Sequence, residues 1–99
     1  MSKRDAKKEL AEVEAVFASL AHASRRQVLL VLHFHGGSMT AGEIAARFDC
    51  SWPTTTRHLQ QLEAAGLVEA ESRGRERIYS LNRALLSTVV SGWLAHFSR

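Results

Sequence analysis

The chain is poor in the residues that staple, kink or anchor a fold: among 99 residues there is one cysteine, one proline and one tyrosine. A lone Cys50 excludes an internal disulfide framework and points to a reducing, cytoplasmic setting. Pro53 is the only proline, and there is no linker, low-complexity stretch or internal repeat. No apolar run approaches the ~20 residues that cross a bilayer, which excludes a membrane-spanning helix. The segment Met1 to Lys8 is charged and lacks the greasy centre of a secretion signal, so none is expected. At roughly 100–200 residues per domain, residues 1–99 make one domain and leave no room for a second.

What is present is an ordinary globular balance, 45% hydrophobic and 23% charged, which argues against a disordered or fibrous chain. Thirteen Lys+Arg against ten Asp+Glu give a net charge of +3. Ten of those cations are arginine, and Arg73, Arg75 and Arg77 crowd into residues 72–78. Guanidinium forks match phosphates and guanine edges, so the basic balance suits a polyanionic partner.

Helical spacing dominates the first two-thirds. Ala6, Leu10, Val13, Val16, Phe17 and Leu20 form one stripe, with lysines and glutamates opposite. Ser24 followed by Gln27 reads as a capping box opening a second helix. That helix, from Val28 to Phe34, is apolar all round, which predicts a central element covered on most sides and stopped by Gly36 and Gly37. Thr40 and Glu43 make a second capping box for a short helix through Ile44, Ala45 and Phe48. Ser51 is an N-cap with Pro53 in the first turn of a fourth helix, which ends at Gly66. Two helices joined so closely make a helix-turn-helix over 40–65. Beyond it the period falls to two, and Gly74 marks the turn of a hairpin over 67–81. Asn82 caps a last helix. The expected fold is mostly α with a small β-hairpin, in the order α-α-α-α-β-β-α.

On the fourth helix, taking Thr55, Leu59 and Leu62 as inward turns Pro53, Arg57, Gln60 and Ala64 outward, flanked by Thr56 and Gln61. Small polar residues with one arginine on an exposed N-terminal half suit a major groove. A hairpin carrying Arg73, Arg75 and Arg77 beside that helix is a wing that tracks phosphates while the helix reads bases. A merely solvated face is the plain alternative for any amphipathic helix taken alone.

In that order these segments resemble the ArsR/SmtB-type winged-helix repressors of bacteria. Residues 17–26 resemble the family's entry into its second helix, residues 53–59 its recognition segment, and residues 62–68 the exit from that helix. Gly74-Arg75 with Tyr79-Ser80-Leu81 resembles its wing. The resemblance covers nearly the whole chain. It implies a homodimer that represses transcription from an imperfect palindrome in double-stranded DNA, with autoregulation at its own promoter as one form. It places base contacts on Trp52, Pro53, Thr56 and Arg57, with Ser51 and Thr54 near the backbone. Thr40 and Gln60 complete the candidate DNA contacts. Trp52 departs from the family pattern, where a polar residue is commoner. It either packs beside the inward face or touches a thymine methyl.

The last helix carries Leu85, Leu86, Val89, Val90, Trp93, Leu94 and Phe97, more apolar width than one side of a small domain needs. The family pairs its first and last helices between subunits, which implies 1–20 and 82–99 as dimerisation segments. The expected interface is Leu10, Val13, Phe17, Leu86, Val89, Val90, Trp93, Leu94 and Phe97. Metal-sensing relatives use a Cys-x-Cys pair on the third helix or Asp/His ligands on the last. Here residues 40–48 hold neither cysteine nor histidine, and the last helix offers His96 alone. No metal site and no cofactor are expected. The effector is unknown, Cys50 reads as a packing thiol, and a thiol or unrecognised metal or ligand switch is the alternative. A winged-helix module binding protein instead of DNA is the other alternative. No catalytic constellation has supporting context, so an enzyme is not expected.

Overall fold

In the computed structural model the backbone is described for residues 3–98 and the side chains for residues 6–98. Residues 1, 2 and 99 of the expected dimerisation segments lie outside that range. Among the described residues, five helices and three strands follow in the order α1 (Lys3–Leu20), α2 (Ala23–Phe34), β1 (Ser38–Thr40), α3 (Ala41–Ala45), α4 (Trp52–Ala64), β2 (Val68–Arg73), β3 (Glu76–Leu81) and α5 (Arg83–Ala95). The strands form an antiparallel sheet ordered β1-β3-β2. The first strand went unseen in the sequence because three residues after a Gly-Gly pair carry no usable period. It pairs Met39 with Tyr79, and Ser38 Oγ lies 2.9 Å from Ser80 Oγ. The hairpin is thus tied to the entrance of the helix-turn-helix.

The helix ends explain how the elements turn. Ser24 is not the cap of α2. His22 takes that place, its Nδ1 accepting from the Ser24 N–H at 3.2 Å, so the helix begins two residues earlier than a serine cap implied. The next two residues reach back across the corner. Arg25 donates to the carbonyls of Ser19 (2.8 Å) and Ala18 (3.2 Å), and Arg26 to that of Leu20 (2.7 Å). These cations bond carbonyls of the last turn of α1, where the helix dipole favours positive charge. The Thr40 capping box is complete. Its hydroxyl accepts from Glu43 N–H, and its own N–H donates to Glu43 at 2.9 Å, holding that carboxyl below its ordinary value. Helix α3 closes at Ala45, short of the expected Phe48.

Val16, Val28, Leu32, Ile44, Leu59, Leu62 and Leu67 fill the core, at the meeting of α1, α2, α3 and α4 with the sheet. Two expectations change here. Helix α2 is not covered on most sides: Leu30 is 55% and Phe34 80% exposed. Val89, expected at the dimer interface, is 8% exposed and belongs to the protomer's own core. The rest of the α5 stripe behaves differently. Leu86 and Val90 are half-buried, while Trp93, Leu94 and Phe97 stand exposed. Trp93 meets Phe17 of α1 edge-on at 5.2 Å, with Phe97 behind it at 4.9 Å, so α1 and α5 present one aromatic-rich surface.

Candidate nucleic-acid interface

Helix α4 divides as its sequence requires. Thr55, His58, Leu59 and Leu62 are buried, while Pro53, Arg57, Gln60 and Gln61 are exposed and Thr56 is half-buried. Its first turn contains no acidic residue, so the positive end of the helix dipole faces outward unopposed. Arg57 extends this surface and has no ion-pair partner among the described residues. Trp52 is 56% exposed, and a methyl group added to Gly42 would sit 3.9 Å from its ring edge. The indole therefore lies over α3 with much of its surface free.

Other candidates are already engaged within the protein. Ser51 accepts from Thr54 N–H at 3.3 Å and donates to the Thr54 hydroxyl at 2.9 Å, so both serve the cap of α4. The Thr40 hydroxyl serves the cap of α3. On the wing, Gly74 takes φ 61° and opens a two-residue turn, the position where a II′ hairpin requires glycine. Of its three arginines, Arg73 is paired with Glu71 at 2.7 Å. Arg77 donates to the Tyr79 hydroxyl at 3.2 Å and meets Glu63 at 3.3 Å; the tyrosine and the carboxylate hold it further in its charged form. Arg75, at the tip, has no ion-pair partner among the described residues.

The Arg77–Glu63 contact joins the wing to the back of α4, and sequence reasoning missed it. The two residues are fourteen apart, with a change of period between them, so no local pattern links them. Its effect is to fix the ribbon against the helix, while Arg75 and Arg57 have no ion-pair partner among the described residues.

His58 lies behind the outward face and is 8% exposed. Its ring packs at 4.6 Å on that of His22, and its Nδ1 has no hydrogen-bond partner. Burial pushes its pKa below the ordinary histidine value of about 6.5, and His22, Arg25 and Arg57 push the same way. An unfolded chain takes up this proton near pH 6.5 and the folded one resists it. The stability linked to His58 is therefore complete above about pH 6.5 and lost as pH falls from there through the folded value. Urea midpoints are expected to be lower at about pH 5.5 than at about pH 7.5, with the difference narrowed in His58→Gln. A wild-type midpoint that does not fall would contradict it.

Among the described residues, no three His, Cys, Asp or Glu side chains are placed to hold a metal ion. His35 pairs with Glu43 at 3.6 Å, His33 meets Arg83, and Cys50 is half-buried.

A short helix, a tight connection, a second helix with a polar outward face and a hairpin pinned beside it define a winged helix-turn-helix protein. Comparison with known proteins agrees: a helix-turn-helix domain family matches residues 20–71. The transcriptional repressor SdpR of Bacillus subtilis (strain 168) is 35% identical over 82 residues, spanning 83% of this chain and 88% of that protein. A crystal structure of an ArsR family transcriptional regulator superposes with a TM-score of 0.78 at 31% identity, covering 87% of this chain and 86% of the other. The homodimeric winged helix-turn-helix DNA-binding domain Mb0332 of Mycobacterium bovis, solved by NMR, gives a TM-score of 0.75 at 27% identity, over 97% of this chain and 87% of that one. The chain belongs to the ArsR/SmtB-type winged helix-turn-helix repressor family.

Proposed function

We propose that the protein is a homodimeric transcriptional repressor that binds double-stranded DNA at an imperfect palindrome, and that it regulates rather than catalyses. The observation that carries this is the outward face of α4, where Pro53, Arg57 and Gln60 are exposed and Thr56 is half-buried among them, beside a wing tipped by Arg75. Residues 40–65 form the reading unit and 67–81 the wing. Thr56, Arg57 and Gln60 address base edges, and Trp52 and Pro53 offer apolar contact to thymine methyls. Arg75 takes phosphate. Ser51, Thr54 and Thr40 hold the helix ends beside the DNA backbone, while Arg73 and Arg77 shape the ribbon. The site of action is the cytoplasmic nucleoid.

The twofold comes from residues 1–20 and 82–99. Leu10, Val13, Phe17, Leu86, Val90, Trp93, Leu94 and Phe97 form a surface too apolar to stand alone, each buried side chain being worth roughly 1.5–3 kcal/mol. Two copies would set their α4 helices about 34 Å apart, one turn of DNA. Sedimentation at micromolar concentration is expected to give a dimer, and Trp93→Asp to shift it to the monomer. A wild-type monomer would contradict the arrangement.

Selection of random duplexes on the purified protein tests binding and palindromy together. Arg75→Ala is expected to weaken every duplex alike and to reduce the slope of log affinity against log salt by about one. A slope that stays put removes Arg75 from the phosphate contacts.

A further inference from the structure

Between α2, the end of β3 and the start of α5 lies an open cavity of about 500 Å³. Leu20, Leu29, Leu30, Leu81 and Leu86 form its wall, and no acidic side chain among the described residues lines it. Its polar groups are cationic or donating. Arg26 spends one guanidinium nitrogen on the Leu20 carbonyl. Arg83 lies against His33, and because a guanidinium only donates, His33 Nδ1 accepts and the ring keeps Nε2–H as a donor. The groove between α1 and α5 is of similar size but is lined by Glu9 and Glu12, so it has no comparable preference for an anion. An apolar wall bordered by a few polar side chains is the usual form of a small-molecule site, and this volume is within the usual range.

We propose that this cavity is an effector site for an aliphatic monocarboxylate. The tail lies along the leucines and the carboxylate is met by Arg83, with Arg26 and His33 beside it. The occupant touches three elements at once. Leu81 ends the wing strand and is tied to the loop after α2 by its N–H, which donates to the Gly37 carbonyl at 2.8 Å. Arg83 and Leu86 belong to the first turn of α5. Binding there displaces the foot of the wing from α2 and lowers affinity for DNA, a consequence that rests on the repressor reading above.

The test titrates the full chain, without DNA, with decanoate below its micellar concentration, and with decanol and decylamine in parallel. Calorimetry gives the affinities and amide shifts the location. Decanoate is expected to bind once per protomer and to shift residues 81–87, with decanol and decylamine about tenfold weaker or worse. Leu30→Glu alters an exposed residue, so the fold persists while binding is lost. Arg83→Gln weakens decanoate about tenfold and leaves decanol unchanged. The site is overturned by absence of binding, by decylamine matching decanoate, or by shifts centred on the α1/α5 groove. It is equally overturned if Leu30→Glu turns a dimer into a monomer, since a second copy would then be the occupant. Release of a selected duplex by decanoate, lost in Arg83→Gln, supports the effector role; binding without release overturns that role. A protein that binds no duplex overturns the repressor reading, while the titration still decides the site.

Discussion

Replacing Arg57 with alanine is expected to weaken binding to a selected duplex by about 1–3 kcal/mol, roughly five- to 150-fold. The side chain is exposed and has no ion-pair partner among the described residues, so its removal leaves the fold intact and the loss falls on the DNA contact alone. A bidentate fork to guanine disappears, and discrimination relaxes at one base pair of each half-site. Arg57→Lys separates charge from geometry: it retains phosphate attraction but not the planar fork, and recovers little of the specific affinity. Fluorescence anisotropy at one fixed salt concentration, with selected and scrambled duplexes, measures both terms. If Arg57→Ala binds the selected duplex as tightly as the wild type, α4 is not the element that reads bases.

The second large effect is on stability. Leu62 is fully buried on the inward face of α4, in the core shared with Val28, Leu32 and Leu67. Leu62→Ala leaves a cavity that a close-packed interior closes only in part, at a cost of about 3–5 kcal/mol. Small domains hold roughly 5–15 kcal/mol in all, so the variant is expected to lose a large part of its margin. Leu62→Met, which conserves volume, is expected to cost less than about 1.5 kcal/mol. Urea denaturation at one protein concentration measures both, the concentration being fixed because any self-association would stabilise by mass action. An unchanged midpoint for Leu62→Ala would mean that the inner face of α4 does not anchor it. The position of the DNA-facing residues depends on this anchor, because Arg57 is presented outward only while Leu59 and Leu62 are held inward.

Much of this was legible in order along the chain. The Thr40–Glu43 box, the Ser51 cap with Pro53 inside the first turn, Gly66 at φ 81° and Gly74 at φ 61° are local devices, and each sits where its residue type implies. The two faces of α4 followed from spacing alone, since a regular helix leaves no freedom once one buried residue is assigned. The reading failed where a pattern had a competitor, local in one case and tertiary in the other. Ser24 and Gln27 made a plausible box, yet the His22 imidazole supplies the acceptor and the helix starts earlier. Val28 to Phe34 suggested burial all round, but a 99-residue protomer has too few elements to cover every side of α2, and Leu30 and Phe34 stay outside.

The wing shows the same division. Three arginines in seven residues said that the ribbon is basic, and nothing in their order said which of them is free. Glu71 takes Arg73, and Glu63 with Tyr79 takes Arg77, leaving Arg75. Likewise Val89 matched the apolar stripe of α5 as well as Trp93 did, and only packing assigned one to the core and the other to the surface. Helix ends, turns and amphipathic faces were set by the sequence itself, because they depend on neighbours within about one turn. The pairing of charges, the partition of apolar residues between core and surface, and the cationic side chains beside the leucine-lined cavity were decided only by the tertiary structure, because each depends on groups that folding alone brings within reach.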